Sequence, residues 1–495
     1  MLSKLDIAKF ISDDFYSKQK QNARKGQEYY EGKHDILNYR LFYFNSDGLL
    51  REDRYRSNVK IPHPFFTEIV NQAVQYIFSD TNVVKSDNPQ LQKYLDGYFN
   101  SNESFTDTLS ELMTGCMAKG TEYLYMYRNA DGRLAFQCAD SLSITEVPAE
   151  NNDDNRDYLI YCWNDTTDKG KRKVKRIQVW DSDSVHYFVQ SENGVVTEDI
   201  SQPSSTQPHI VLSDKSGDMF YDSFGFIPFF RLDNNKSRRS DLWVIKELID
   251  DYDLMASSLS NNLIDFDMPL YAVTGFEGDS LDELQQNLKS KKIVGLEEGG
   301  GIDVKTVDVP YQARQTKLQL DEKNIYRFGM GLNIDGLKDT AATTNIAIKA
   351  AYSLLDLKCS KLEIKLKAFM RRIVKPVIAE INQMHGKNFS DDEVWFDFRH
   401  EVMSNVYENA QIEKLSAEEN QIKIQTVLEV SDILDDETLV RSICSCLEID
   451  YDRVSEKISE KMQKKVSNAP MEESTVKRTI SKNEENNTKV TEEIL

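Results

Sequence analysis

A short glycine motif is the nearest approach in this sequence to a nucleotide-binding loop. Gly329-Met330-Gly331 matches the start of a dinucleotide-binding loop, but the third glycine is misplaced and no predicted strand precedes it. The pattern Gly-x-x-x-x-Gly-Lys-Ser/Thr, which cradles nucleotide phosphates, does not occur in the chain. The motif therefore favours a hinge over a phosphate site, and a P-loop ATPase is excluded.

Three oxygen-bearing residues have the spacing of the first half of a calcium-binding loop. Asp153, Asn155 and Asp157 alternate along the chain as calcium ligands do. Tyr158 stands where such a loop needs glycine, however, and Asn164 stands where it needs the closing glutamate. We interpret the segment as a solvated acidic hairpin loop.

The other candidates for metal binding or hydrolysis are also incomplete. His400-Glu401 lacks the second histidine of a zinc-protease helix. Cys444-Ser445-Cys446 lies in a predicted helix, where residues i and i+2 do not share a face. Asp391-Asp392-Glu393 is typical of a turn or a helix cap, and no serine lies in a nucleophile elbow. The sequence thus indicates no enzyme, no metal site and no cofactor.

Composition limits the partners that the chain can hold. It has 495 residues, with 61 lysines and arginines against 82 acids, so its formal net charge is −21. Proteins that grip nucleic acid without regard to sequence normally carry net positive charge, so any contact with DNA should be local and weak. No apolar run reaches the length of a signal peptide or a membrane span, so we expect neither. The six cysteines are sparse and unpatterned, which fits a reducing cytoplasm.

Residues 1–240 are predicted to form a mixed α+β lobe with an antiparallel sheet. Apolar residues recur at helical spacing over 6–30, 66–78 and 105–117, and Pro62-His63-Pro64 opens the second of these helices. The period then changes to two, which indicates short strands separated by glycine turns. The predicted strands are 122–128, 133–138, 158–163, 173–180, 185–189 and 195–198.

Two predicted helices flank a small unit in the middle of the chain. Apolar residues at three–four spacing predict helices over 241–266 and 311–328. Between them, residues 267–310 are predicted to form a β-α-β-β unit. The turn between its last two strands is assigned to Gly299, Gly300 and Gly301.

A loop and a very long helix follow. Residues 329–344 are interrupted by glycine and predict a loop, whose hinges would be Gly329, Gly331 and Gly336. Residues 345–384 predict a helix about 60 Å long, which Pro376 should kink. A helix of this length is rarely needed in one globular lobe and is common in a ring assembly.

The C-terminal part of the chain is predicted to be helical and then disordered. Helices are predicted at 401–419, 421–431, 436–447 and 450–466. Residues 467–495 are polar and lack apolar periodicity, which favours disorder.

An ordered set of segments between residues 25 and 385 matches a known family, although each segment alone is degenerate. The segments are Gly32 to Leu37 with Arg40, Asn58 to Ile61, Phe65 to Val70, Ile227-Pro228, Asn234-Asn235, Ser240 to Leu242, Leu248 to Asp253, and Ala341 to Lys349 followed by Leu354-Leu355. In this order they resemble the portal, or head-tail connector, proteins of long-tailed double-stranded DNA phages that infect Gram-positive bacteria.

The resemblance implies a multi-domain, ring-forming α+β subunit. Residues 1–240 would form the wing, 241–266 and 311–328 the two stem helices, and 267–310 the clip. The tunnel loop would be 329–344, the spine helix 345–384, the all-α crown 385–466 and the disordered tail 467–495.

The resemblance also implies a function and a set of partners. About twelve subunits would form a ring at the unique capsid vertex, and DNA would pass through it during packaging and ejection without tight binding. The implied partners are the terminase large subunit, the major capsid and scaffold proteins, and the head-completion adaptor that joins the tail. Such a protein would reside in the virion, after assembly in the host cytoplasm, and would contact no membrane.

The charges of the stem helices bear on how a channel would treat DNA. Residues 241–267 carry seven acids against Lys246 alone. These acids would either line the bore and repel DNA within about 8 Å or solvate an outer helix face. The acids singled out are Glu247, Asp250, Asp251 and Asp253. The candidates for weak phosphate contacts are Arg314, Lys317, Lys323, Arg327 and Lys338.

The sequence alone leaves open the role of one residue and two other functions for the whole chain. Arg327 could face DNA or pair with acids of a neighbouring subunit. The chain as a whole could instead be an acidic helical scaffold of the phage head without a channel, or a hydrolase that uses scattered carboxylates. A closed ring separates the portal from both alternatives, and nucleotide turnover would favour the hydrolase.

Overall fold

A computed structural model gives the fold. It describes residues 2–54, 56–80, 82–149, 152–167, 172–213, 218–266, 270–276, 280, 284, 296–305, 310–333, 345–398, 406–429, 436–446 and 451. The chain divides into two compact units, residues 1–403 and 404–495. Helices and antiparallel strands both occur in the first unit, which makes the fold α+β, as the sequence predicts.

The helices agree with the apolar periodicity of the sequence, with a few differences. In the first unit they are α1 Lys4–Tyr16, α2 Lys18–Tyr30, α3 Phe65–Ile77, α4 Pro89–Tyr98, α5 Glu103–Lys119, α6 Lys246–Phe266, α7 Tyr311–Gly329 and α8 Asn345–His385. The single helix expected over 6–30 is broken because Ser17 is extended and its side chain caps the Lys20 N–H. The first turn expected of the 241–266 helix is a separate 3₁₀ turn, Asp241–Val244.

The strands form one large antiparallel sheet and several small ones. Strands are β1 Phe42–Phe44, β2 Leu50–Glu52, β3 Val84–Ser86, β4 Thr121–Arg128, β5 Leu134–Ala139, β6 Ile144–Ala149, β7 Asn152–Thr167, β8 Arg172–Trp180, β9 Ser184–Gln190, β10 Val196–Glu198, β11 Thr206–Pro208, β12 Ile210–Ser213, β13 Met219–Asp222 and β14 Phe229–Asp233. The large sheet has the order β10-β9-β8-β7-β6, with β11 also on β9, and a second sheet has the order β14-β4-β5.

All six predicted strands are confirmed, and one predicted loop is wrong. The acidic segment Asp153 to Asp157 lies within β7, which pairs with β6 and β8, and not in a hairpin loop. The alternation of polar residues there has the two-residue period of a strand. Three strands that the sequence did not suggest, β6, β11 and β14, complete the two sheets.

The segment between α6 and α7 contains a two-stranded sheet. Strand β15 Leu270–Phe276 pairs with β16 Leu296–Lys305, and 281–283 and 285–295 lie outside the described residues. The predicted turn at Gly299, Gly300 and Gly301 is wrong, because β16 runs through these glycines with an irregularity in its register. Glycine is needed at Gly300 because a Cβ there would lie 2.8 Å from the Thr274 carbonyl oxygen.

The long helix α8 is confirmed and forms part of the main core. It continues through Pro376, and its C-terminal half packs through Phe369, Ile373 and Val377. The N-terminal half is less buried, since Leu354 and Leu357 are exposed.

The crown was predicted to begin at residue 385, but the residues that directly follow α8 belong to the first compact unit, which runs to residue 403. A 3₁₀ turn, Asp391–Glu393, has the capping box that its acids suggest, and β17 Val394–Phe396 pairs with β3 of the first unit. The second unit has α9 Val406–Glu429, continuous where a break was predicted near residue 420, and α10 Asp436–Cys446. Residues 452–495, including the predicted disordered tail, lie outside the described residues.

Candidate functional site

The paired helices α6 and α7 carry most of the charged residues that the sequence singled out. They run antiparallel, because Arg314 near the start of α7 faces Asn262 near the end of α6, whereas Lys317 faces Asp251. The guanidinium of Arg314 lies 2.7 and 2.8 Å from the Asn262 side-chain oxygen when the amide is oriented to accept. Lys317 forms an ion pair with Asp251 at 2.5 Å and a second with Asp321.

Most of the predicted acidic residues of α6 are bound within the subunit. Asp250 pairs with Lys246 at 2.5 Å, Asp251 pairs with Lys317, and Asp253 is fully buried. Among the four acids singled out, Glu247 alone is exposed without an ion pair to any described residue. Asp253 is therefore closed both to a bore and to solvent, whereas Asp250 and Asp251 are partly exposed and the direction they face stays a prediction.

The first turns of α6 are held to the N-terminal part of the chain by alternating charges. Asp35 lies 2.8 Å from Lys246 and 2.9 Å from Lys25, and the Tyr29 hydroxyl donates to Asp250. Burial and the bond to Asp250 raise the pKa of Tyr29 well above its usual range. Burial also raises the pKa of Asp35, but the two lysines outweigh it and bring this pKa to about 2.

Asp253 binds two histidines and a backbone amide in the interior. Its carboxylate oxygens lie 2.6 Å from His34 Nδ1 and 2.8 Å from His63 Nδ1, and the His63 N–H donates to it at 2.9 Å. The His34 ring stacks on Tyr29 with centroids 4.5 Å apart. A buried acceptor with three donors is strongly held, because each bond is made in surroundings of low dielectric constant.

Asp253 is the first member of a row of hydrogen bonds that we call the α6 ladder. Four α6 side chains, one per helical turn, each accept a backbone N–H from alternate residues of segment 57–63. The bonds are Asp253 to His63 at 2.9 Å, Ser257 to Ile61 at 3.1 Å, Asn261 to Val59 at 2.7 Å and Asp265 to Ser57 at 3.1 Å. Asn261 also donates to the Val59 carbonyl at 3.2 Å.

The ladder is possible because two backbone repeats nearly match. Four residues of an α-helix rise about 6 Å, and two residues of an extended chain rise about 6.6 Å. Every second residue of the segment therefore meets every fourth residue of α6. The sequence carried this signal as polar residues at every fourth position of α6, namely 253, 257, 261 and 265, but helical periodicity alone did not suggest what they bind.

The lysines and arginines that were predicted to face DNA fall into two groups where the structure describes them. Arg314 and Lys317 are engaged between α6 and α7, so they join the two helices. Lys323 and Arg327 are exposed and form no ion pair with the part of the chain that the structure describes; Arg327 lies 5.9 Å from the Phe328 ring. Lys338 lies outside the described residues.

The glycines predicted as loop hinges have another role where the structure describes them. A Cβ at Gly329 would lie 2.7 Å from Ile69, and one at Gly331 would lie 2.8 Å from it. These two glycines therefore permit close packing on α3, and their role as hinges stays a prediction. The left-handed residue that ends α7 is Met330, with φ of 56°. Gly336 lies outside the described residues.

The first residues after α7 are fixed by polar contacts. Gln72 donates to the Leu332 carbonyl at 3.0 Å and accepts the Leu332 N–H at 2.8 Å. Lys358 on α8 donates to the Gly329 carbonyl at 3.1 Å and pairs with Asp241 at 2.8 Å. The end of α7, the 3₁₀ turn before α6 and the helix α8 are thus connected through one buried lysine.

Ion pairs join α6 to α7, and an extended segment binds along α6. The described residues contain no group of three or more histidines, cysteines or acids placed to hold a metal ion. None of the described helices is long and apolar enough to span a membrane. The main feature of the described residues is the α6–α7 pair with segment 57–63 bound along α6.

Comparison with known proteins identifies the family. The family model "Phage portal protein, SPP1 Gp6-like" matches residues 10–464, so the chain belongs to this family. It is similar to the portal protein of Bacillus phage SPP1, with 24% identity over 350 residues that cover 70% of this chain and 67% of the relative. It is also similar to the portal protein of Clostridium phage phiCD119, with 27% identity over 38% of this chain and 42% of the relative.

Family membership confirms the resemblance that the ordered segments suggested. Both relatives come from phages of Gram-positive hosts, as expected. The chain is a portal-family protein, a structural and non-enzymatic component of a phage capsid. The hydrolase reading is thereby excluded.

Proposed function

We propose that this chain forms a ring of about twelve subunits at one capsid vertex and that the ring is the channel through which DNA is packaged and ejected. The observation that best supports this is the α6–α7 pair, which the α6 ladder and the Lys317 ion pairs make into a stiff element. A channel wall must keep its diameter while a polyanion moves past it. Internal pairing of the acids provides stiffness without relying on contacts to DNA.

The assignment of parts follows the family. In this proposal residues 1–240 form the wing, α6 and α7 the stem, the segment with β15 and β16 the clip, 329–344 the tunnel loop, α8 the spine and the C-terminal residues the crown. The clip end would dock the terminase large subunit during packaging and the head-completion adaptor afterwards. The wing would meet the major capsid and scaffold proteins.

The proposed ring can be tested by measuring the mass of the assembled protein and by imaging it. Light scattering on a sizing column should give twelve copies of the 57.1 kDa chain, or about 685 kDa. Electron microscopy of the same peak should show a central hole. A chain that stays monomeric or dimeric at high concentration and with scaffold protein present would exclude the channel and leave the acidic scaffold as the better account.

DNA contact is assigned to the lysines and arginines whose side chains are not already bound within the subunit. Lys323 and Arg327 are exposed and form no ion pair within the described part of the subunit. Lys338 is the basic residue of the segment assigned to the tunnel loop. Each would make a weak, salt-sensitive phosphate contact that the ring repeats and that sliding DNA releases. Arg314 and Lys317 are weaker candidates, because both bind residues of α6.

The role of these basic residues in DNA contact can be tested in a packaging assay with a matched control. We expect Lys338→Ala, or Lys323→Ala with Arg327→Ala, to lower DNA packaging or retention at low salt while rings still assemble. Lys85→Ala, on a short strand of the first unit, is the control and should package normally. Unchanged packaging by the variants would remove these residues from the DNA path and would leave the ring itself untouched.

A further inference from the structure

A small hairpin of the first unit exposes an unusual set of side chains. Strands β1 and β2 pair with each other, and every residue of both strands is exposed. The side chains include Phe42, Tyr43, Phe44 and Leu50, and Phe44 is 72% exposed. A two-stranded hairpin is marginally stable in water by itself, and aromatic residues with arginine are the types enriched in protein interfaces. This composition indicates a surface that is covered in an assembly.

The position of the hairpin is fixed by the α6 ladder. Its base closes where the Asp53 N–H donates to the Leu41 carbonyl at 2.8 Å. Four residues later Ser57 binds Asp265, and Asn58 donates to the Tyr39 carbonyl at 3.4 Å. The hairpin is thus held beside the C-terminal end of α6.

The same end of the helix pair carries a second uncovered apolar patch. Leu263 and Ile264 lie on α6 between ladder residues Asn261 and Asp265, and Tyr311 begins the antiparallel helix α7 beside them. All three are exposed, Ile264 by 54%, in the described part of the chain. The hairpin and this patch therefore occupy the same level along the helix pair, yet neither covers the other within one chain.

We propose that the hairpin of one subunit packs on the Leu263–Ile264–Tyr311 patch of the next copy in the ring. Subunits of a cyclic ring are related by rotation alone, so a surface meets a different surface of its neighbour at the same level along the axis. Charge favours a copy of this chain as the partner. Residues 40–56 carry four arginines against three acids, whereas the whole chain has a net charge of −21. The inference rests on the ring proposed above.

Cross-linking between two variants that each carry one introduced cysteine tests the contact directly. Phe44→Cys and Ile264→Cys chains, carrying distinguishable tags, are co-expressed, and the assembled rings are treated with a short bismaleimide. We expect a product that contains both tags, at least tenfold more abundant than in a control that pairs Phe44→Cys with Ile200→Cys. Ile200 lies in a turn of the large sheet and is 98% exposed. The wild-type chain gives the background from its own cysteines.

A charge introduced on the hairpin supplies the second readout. Phe44→Asp should prevent ring formation while the circular dichroism spectrum of the subunit stays unchanged, and Ile200→Asp should assemble normally. Rings of the Phe44→Cys and Ile264→Cys chains that give no product above the background, with Phe44→Asp rings intact, would overturn the docking and leave the proposed function standing; the hairpin would then belong to another partner. Failure of the wild-type chain to form rings would overturn both.

Discussion

The two ends of the α6 ladder use the same kind of hydrogen bond in very different surroundings. At one end Asp253 is fully buried and receives three donors from His34 and His63. At the other end Asp265 is exposed and receives one N–H, from Ser57. A buried polar group that loses its partner costs far more than an exposed one, because water cannot replace the bond.

The difference indicates that the ladder has a fixed end and an adjustable end. The Asp253 end locks segment 57–63 to the core, and the Asp265 end leaves the adjacent hairpin able to settle against a neighbour. Local opening should therefore begin at Ser57 and proceed toward His63. Native-state hydrogen exchange of these amides measures the gradient residue by residue.

The largest effect should come from Asp253→Ala. The substitution leaves two histidine nitrogens and the His63 N–H without their acceptor in the interior. We expect the free energy of opening at the His63 and Ile61 amides to fall by about 3–5 kcal/mol. Glu247→Ala, on the same helix but exposed, is the control and should change it by less than about 0.5 kcal/mol. A loss below about 1 kcal/mol for Asp253→Ala would show that the buried end is not the fixed one.

An intermediate effect is expected in the middle of the ladder. Asn261 makes two bonds with the Val59 backbone, so Asn261→Ala should lower the opening free energy at the Val59 amide by about 1–2 kcal/mol. Protection at His63 should persist, since Asp253 is unchanged. Equal loss of protection along the whole segment would instead mean that the ladder opens as one unit.

The ion pairs at the start of α6 should give a smaller, pH-dependent effect. The pKa of Asp35 is held at about 2, below the usual value of about 3.9. Its stabilisation is therefore present above pH 4 and is lost as the pH falls toward 2. Asp35→Asn should unfold at a lower temperature than the wild type at pH 5, by a modest amount because Asp35 is partly exposed. The two melting curves should converge near pH 2; a constant gap across this range would contradict the assigned ion pairs.

The smallest effect belongs to Asp265→Ala. Water can replace this exposed carboxylate, so the opening free energy at Ser57 should fall by a few tenths of a kcal/mol. A loss as large as that of Asp253→Ala would erase the distinction between the two ends. The same measurement in assembled rings tests the comparison further. Docking of the hairpin should raise the hydrogen-exchange protection of the Ser57 amide above that in the isolated subunit.

Local patterns were sufficient for much of the fold. The three–four spacing of apolar residues located α6, α7 and α8, and period-two alternation located all six predicted strands. The helix α4 was missed although Asn88 caps it and Pro89 occupies its first turn, because its apolar stripe is short. The glycine run at 299–301 was misread as a turn because a strand with a close backbone approach requires the same residue type.

The sequence by itself determined the family, the helix pair, the long spine helix and the overall negative charge, because periodicity, composition and ordered motifs are local or additive properties of a chain. Only the tertiary structure decided which charges remain available. Asp253 meets His34 across 219 residues of chain, and Lys317 meets Asp251 across 66. Whether a charged residue contacts DNA, water or its own subunit depends on neighbours that packing brings from distant segments, and helical periodicity says nothing about them.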